Sequence, residues 1–185
     1  MAASPVWADE IEVQHLALKS TDRGLALDAD FALELGPRLV EMVSSGIPVY
    51  FVVEFELTRY RWYWFDENTV SRRLQLRLSY HVLSRQYRLS TGLLQQSFSS
   101  LEEALHVLTR VRNWLVVERT VRLARTDYEA AVRIRLDAAL LPKPFQLSAL
   151  TSRELQLESA WKRFTVRSPR HAPAPMESRE SEGGG

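Results

Sequence analysis

The sequence predicts a mainly β (α+β) fold, an antiparallel β-sandwich-like domain of about eight or nine strands with two or three short helices. Three observations carry this. Long runs alternate apolar and polar residues with period two, the signature of a strand with one buried and one wetted face. Helical patterns are few and short, and no repeated strand–helix–strand rhythm runs along the chain, which argues against a doubly wound parallel sheet. The chain has 185 residues and is 45% hydrophobic, which suits one domain able to bury its own core.

Taken in order, Ile11, Val13, Leu16 and Leu18 mark a first strand. Asp22-Arg23-Gly24 is a turn signal. Leu25, Leu27, Ala29, Phe31, Leu33 and Leu35 then alternate with Ala26, Asp28, Asp30, Ala32 and Glu34, completing a hairpin. Gly36-Pro37 opens a short helix, because proline's missing N–H would be unpaired at the first helical position anyway. Leu39, Val40 and Val43 form its apolar stripe, and Gly46 and Pro48 end it. Val49, Phe51, Val53, Phe55 and Leu57 line one face of the next strand, with Tyr50, Val52, Glu54 and Glu56 on the other. A run from Leu74 alternates Leu76, Leu78, Tyr80 and Val82 against Gln75, Arg77, Ser79 and His81. These two runs are expected to pair as a long hairpin around residues 59–68. Glu54 and Glu56 would then face Arg73 or Arg77, each pair contributing about 0.2–1 kcal/mol.

Shorter strands are expected at residues 87–89 and 95–98. Ser100-Leu101-Glu102-Glu103 is a capping box, in which Ser100 and Glu103 satisfy each other's free backbone N–H groups. It starts a helix with Leu101, Ala104, Leu105, Leu108 and Val111 on one face. Residues 115–117 read as a strand. Tyr128, Ala130, Val132, Ile134 and Leu136 make another, with Arg133 and Arg135 outward. Pro142-Lys143-Pro144-Phe145-Gln146 is expected to be a rigid extended connector, since each proline fixes its own φ and restrains the residue before it. Leu155 and Leu157 begin a last strand or short helix near Trp161 and Phe164.

Composition narrows the function classes. The net charge is +1, which gives no bulk electrostatic reason to expect nucleic acid as a partner. There is no cysteine, which excludes disulfides, thiolate catalysis and Cys-based zinc sites. His15, His81, His106 and His171 have no ligand-like neighbours at metal-binding spacing. No nucleophile elbow, phosphate-binding loop or dinucleotide fingerprint occurs, so no enzyme class and no cofactor is assigned. No apolar run is long enough to span a membrane as a helix. Asp28 and Asp30 share one strand face, where the reading is a solvated pair near Arg133 or Arg135 rather than a calcium site. Arg72, Arg73, Arg77, Arg85 and Arg88, with Arg59 and Arg61, make residues 59–88 locally basic, either as an anion-holding patch or as an outer sheet face paired with acids.

The most unusual stretch runs from Arg59 and Tyr60 through Arg61, Trp62, Tyr63, Trp64 and Phe65 to Asp66, Glu67 and Asn68. Aromatic faces beside arginines can stack a sugar, a base or a peptide. The same residues can instead cap one end of the core, with Asp66-Glu67-Asn68 as the turn. Arg59, Arg61, Trp62, Tyr63, Trp64, Asp66 and Glu67 are the candidate interaction surface. At the N-terminus, Val6 and Ala8 occupy the small-residue positions of a signal-peptidase junction. Residues 1–8 are therefore read as the end of a signal peptide or a disordered start, with a true start upstream. Residues 9–166 form the β domain, and residues 167–185 a disordered tail.

The order of several segments resembles a known family. The segments are Ile47-Pro48-Val49-Tyr50-Phe51-Val52-Val53-Glu54-Phe55-Glu56-Leu57, Arg61-Trp62-Tyr63-Trp64-Phe65-Asp66-Glu67, Arg85-Gln86-Tyr87-Arg88-Leu89, Leu94-Gln95-Gln96-Ser97-Phe98, Leu141-Pro142-Lys143-Pro144-Phe145-Gln146 and Trp161-Lys162-Arg163-Phe164. The family is the proteobacterial domain of unknown function 4390. The resemblance implies export, because members usually carry a signal peptide, and it points to a neighbouring two-component sensor kinase. It supplies no catalytic residue or cofactor. The expectation is a non-enzymatic periplasmic interaction module linked to envelope signalling, binding an envelope protein such as a sensor kinase. The residues 59–68 segment or an exposed sheet edge would be its surface. The alternatives are a periplasmic carrier of a small apolar or anionic ligand and an envelope hydrolase.

Overall fold

The computed structural model describes residues 11–59, 67–123 and 126–167. Among these residues, nine strands form two antiparallel sheets, accompanied by three short α-helices. The first hairpin pairs β1 (Glu12–Thr21) with β2 (Gly24–Ala32) through the two-residue turn Asp22-Arg23. Gly24 has φ +139°, and a Cβ placed there would lie 2.0 Å from the Val117 carbonyl oxygen, so only glycine fits. Helix α1 (Pro37–Ser44) follows, and buries Leu39, Met42 and Val43.

Strand β3 (Val49–Arg59) runs antiparallel to β4 (Glu67–His81), in the long hairpin that the alternation predicts. Then come β5 (Gln86–Thr91), β6 (Leu94–Phe98), α2 (Leu101–Leu108), β7 (Arg110–Glu118) and β8 (Asp127–Leu136). The chain closes with α3 (Lys143–Ala149) and β9 (Lys162–Arg167). The smaller sheet has the order β1-β2-β7, and the larger β6-β5-β4-β3-β8-β9.

The core lies between the sheets. Val49, Phe51, Val53, Phe55 and Leu57 of β3 are fully buried and meet Val132 and Ile134 of β8 and Leu76 and Leu78 of β4. Leu27, Ala29 and Phe31 of β2 join the same cluster from the smaller sheet. Each fully buried aliphatic or aromatic side chain contributes about 1.5–3 kcal/mol. A parallel bridge between Ile11 and Ser159 ties the start of the chain to the β8–β9 connection, where the Ser159 hydroxyl accepts from the Ile134 N–H at 3.0 Å.

Three local expectations are corrected. The predicted helix of residues 101–111 stops at Leu108, because the Thr109 hydroxyl caps the Leu105 carbonyl at 2.9 Å and Arg110 already pairs with Asp30 of β2. Val111 therefore belongs to a strand. The capping box closes on one side as expected, with the Glu103 N–H donating to the Ser100 hydroxyl at 3.2 Å. The Glu103 carboxylate accepts chiefly from the N–H and hydroxyl of Ser99, with a weaker contribution from the Ser100 N–H. The expected extended connector at residues 142–146 is instead the start of α3. Pro142 takes the extended cap position, with ψ 145°, and Pro144 lies in the first turn, where an N–H has no helical partner to lose. The Gln146 side-chain amide locks the turn by donating to the Ala139 and Leu141 carbonyls at 2.8 and 2.7 Å.

Candidate docking surface on the larger sheet

The two sheets differ in width, and the difference exposes a wing. The larger sheet continues past β4 into β5 and β6, while the smaller sheet ends at β7. Leu74 and Leu76 of β4 and Leu89 and Leu94 of the wing line a gap against Val107 and Leu108 of α2 and Val111 and Trp114 of β7, with Leu76, Leu89 and Val111 buried at its floor and Leu94 exposed at its rim. The gap is a cleft of about 460 Å³, within the size range of small-ligand and side-chain pockets. Thr91, Gln96 and Arg110 supply polar groups along its walls.

Strand β6 forms the outer rim of the wing. The two-residue turn Gly92-Leu93 joins it to β5, and Gly92 has φ +58°, the left-handed angle that a type II′ hairpin requires at its first central position. Thr91 and Leu94 close this turn as a hydrogen-bonded pair, so Leu94, Gln96 and Phe98 direct their backbone groups at β5. Gln95 and Ser97 direct theirs outward. Leu93 is fully exposed at the tip, and Leu94 is 73% exposed.

Among the described residues the two sheets have four edges, and these are not alike. An edge strand offers unpaired N–H and C=O groups, and proteins guard such edges with charges, bulges or distortion. Strand β1 carries Glu12 and Lys19 and a register shift between Val13 and His15. Strand β7 carries Arg110, Arg112 and Glu118, two register shifts against β2, and Asn113 at φ +51°. Strand β9 carries Lys162, Arg163 and Arg167. Strand β6, Leu-Gln-Gln-Ser-Phe, has no charge, no proline and an unbroken register with β5, and only Phe98 is even half-buried. Among the described residues it is the unguarded edge.

The opposite face of the larger sheet carries a charged clasp. Glu54 in the middle of β3 is only 5% exposed. It accepts from Arg133 Nε of β8 at 2.6 Å and lies 3.2 Å from Arg73 Nε of β4 and 3.6 Å from Arg135 Nε. Burial pushes its carboxyl up, but the Arg133 hydrogen bond and the charges of Arg133, Arg135 and Arg73 together outweigh this and hold it below its ordinary value. Trp161 stacks on Arg133, the guanidinium carbon 4.6 Å from the ring centre. A carboxylate held ionised by three guanidinium groups has its lone pairs engaged. Its role is to clamp β4, β3 and β8 together.

Of the predicted interaction surface, Arg61, Trp62, Tyr63, Trp64 and Asp66 lie outside the described residues, as does the Glu67 side chain. Arg59 ends β3, paired in register with Glu67 and with Tyr128 of β8. Glu54 does face Arg73, as expected, but Glu56 sits opposite Ser71 and Ala131, and Arg77 opposite Tyr50. Asp28 and Asp30 are not near Arg133 and Arg135, which belong to the other sheet. Asp28 instead accepts from Lys19 and from the Asn113 N–H, and Asp30 pairs with Arg112. Among the described residues, no group of three His, Asp or Glu side chains could hold a metal ion. No helix among them is long and apolar enough to cross a membrane.

The unguarded edge was not singled out from the sequence, although a signal exists. Residues 89–101 contain no charged side chain in a chain that is 25% charged. The comparison with protein families agrees with the order of segments. A model described as Domain of unknown function (DUF4390) matches residues 8–165. The chain belongs to this family. No curated protein and no solved structure matches it. Within this DUF4390 chain, the match runs over both sheets and the whole β5–β6 wing.

Proposed function

We propose that this DUF4390 protein is a non-enzymatic interaction module of the cell envelope, and that β6 is where it takes up an extended segment of another envelope protein. One observation supports the reading above the rest: an uncharged, exposed sheet edge borders an open, largely apolar cleft. A strand added to β6 would gain main-chain hydrogen bonds from the outward groups of Gln95 and Ser97. Every second side chain of that strand would extend over the cleft wall of Leu89, Leu94 and Trp114. Main-chain pairing gives affinity and the cleft gives selectivity. Arg110, exposed at the rim, favours an acidic group in the guest segment. Export is the part of the reading that rests on the Val6–Ala8 junction and the family resemblance, and a sensor kinase is the partner class that the resemblance points to.

The test is made in the native host with a chromosomally tagged chain. Fractionation and mass spectrometry of the N-terminus read its compartment, and native electrophoresis of the envelope extract reads its assembly. The expected result is a periplasmic chain migrating in a complex larger than a dimer. Gln95→Pro, which removes one outward N–H, should release it from that complex. A chain that stays in the cytosol, or a complex indifferent to Gln95→Pro, would overturn the reading. The cleft also favours a carrier of a small apolar or anionic ligand. In that case Gln95→Pro leaves ligand binding unchanged, while Leu94→Arg, which puts a charge on the exposed cleft wall, abolishes it.

A further inference from the structure

We infer that, in the absence of a guest strand, the edge of β6 pairs with β6 of a second copy, joining two six-stranded sheets across a two-fold axis at Gln96. This rests on β6 being the docking edge and names the occupant it holds at rest. Strand β6 is self-complementary. A two-fold interface sets each surface against itself, so every residue must suit its own symmetry partner. Antiparallel pairing centred on Gln96 places Gln96 opposite Gln96, Gln95 opposite Ser97 and Leu94 opposite Phe98.

Every opposed pair is matched in polarity, and no like charges meet, because the strand has no charge. The hydrogen-bonding phase agrees. Gln95 and Ser97 are the residues whose backbone groups point away from β5, and they fall opposite each other in this register. Two such pairs, related by the axis, make four N–H to C=O bonds. Leu94, largely exposed in the single chain, is covered by the partner Phe98. The pairing stops after Phe98, since the Ser99 N–H is already given to the Glu103 carboxylate at 3.1 Å. The other three edges meet no such condition, because each carries charged residues and two of them are bulged or shifted in register. Five residues a side is far fewer than a standard interface of roughly 20–30, so the association is weak and concentration-dependent. A second copy and a guest strand compete for one edge.

The absence of cysteine gives a clean test. Residues facing each other across a non-hydrogen-bonded antiparallel pair have Cα atoms about 4.5 Å apart, within the roughly 4.4–6.8 Å that a disulfide spans. Gln96→Cys should therefore form a disulfide-linked dimer on mild oxidation. Gln95→Cys and Ser97→Cys should stay monomeric, because in this register each of these positions is displaced by two residues from its own copy. Adding Gln95→Pro to Gln96→Cys should abolish the dimer while circular dichroism shows the fold retained. A monomeric Gln96→Cys chain, or equal crosslinking at all three positions, overturns the inference. Neither result touches the docking reading, which is judged in the host by the Gln95→Pro complex and by whether the captured chain is another protein.

Discussion

Replacing Glu54 with alanine tests how the larger sheet is held together. The carboxylate is buried in the centre of β3, between Arg73 on one neighbouring strand and Arg133 and Arg135 on the other. Breaking a buried ion group by deleting one partner costs about 3–5 kcal/mol, mostly because the remaining charges are left without compensation. Here the Arg73 side chain is 72% exposed and can turn into water, which places the cost at the low end, about 3 kcal/mol. For a chain of this length each kcal/mol lowers Tm by roughly 2–4 °C, so Glu54→Ala should melt about 6–12 °C lower. Glu56→Ala, on the same face but opposite Ser71 and Ala131, should change stability by about 0.5 kcal/mol or less.

The assay is urea denaturation of both variants and the wild type over a pH series. Glu54 has a folded-state pKa below its ordinary 4.5. Its stabilisation is therefore present above the unfolded-state pKa and is lost as pH falls through the folded value. The gap between wild type and Glu54→Ala should be widest near neutrality and should narrow on acidification below that ordinary value. A loss below about 1 kcal/mol, no larger than that of Glu56→Ala, would rule out a buried clasp. The clasp would then be a set of solvent-screened surface pairs.

Two further outcomes follow from local geometry. Gly24→Ala should cost about 3 kcal/mol or more in equilibrium unfolding, because φ +139° and a 2.0 Å approach to the Val117 carbonyl leave no place for a Cβ. Ser100→Ala removes the hydroxyl that accepts from the Glu103 N–H and should cost about 1 kcal/mol, read as a lower Tm, while Ser100→Asp should restore most of it.

Much of the fold is legible in the sequence because its strands alternate cleanly. The β3 face of Val49, Phe51, Val53, Phe55 and Leu57 is buried residue for residue as the pattern requires. The Asp22-Arg23-Gly24 turn and the Gly36-Pro37 helix start are likewise set by local backbone chemistry. What the pattern cannot carry is which strand lies beside which. The partners of Asp28 depend on β2 lying between β1 and β7, and those of Glu54 on β8 joining β3. Both are fixed by contacts far apart in the chain. Residues 142–146 show the opposite failure, where proline reads locally as extended although the same residue suits a first helical turn. The edge of β6 is the hardest case. The lack of charge in residues 89–101 is visible in the sequence, but that β6 has no neighbour on one side among the described residues is a property of the sheet order.

The most direct measurement of the central claim is photo-crosslinking in the native host, with a photoreactive amino acid at Gln95 of β6 and, for comparison, at Lys162 of the guarded edge β9. If β6 is the docking edge, Gln95 forms a discrete adduct with one envelope protein. Beside it would run a homodimeric adduct that weakens as that protein becomes abundant, with neither formed at Lys162. Adducts at Lys162 in place of Gln95, or none at Gln95, would contradict β6 as the docking edge.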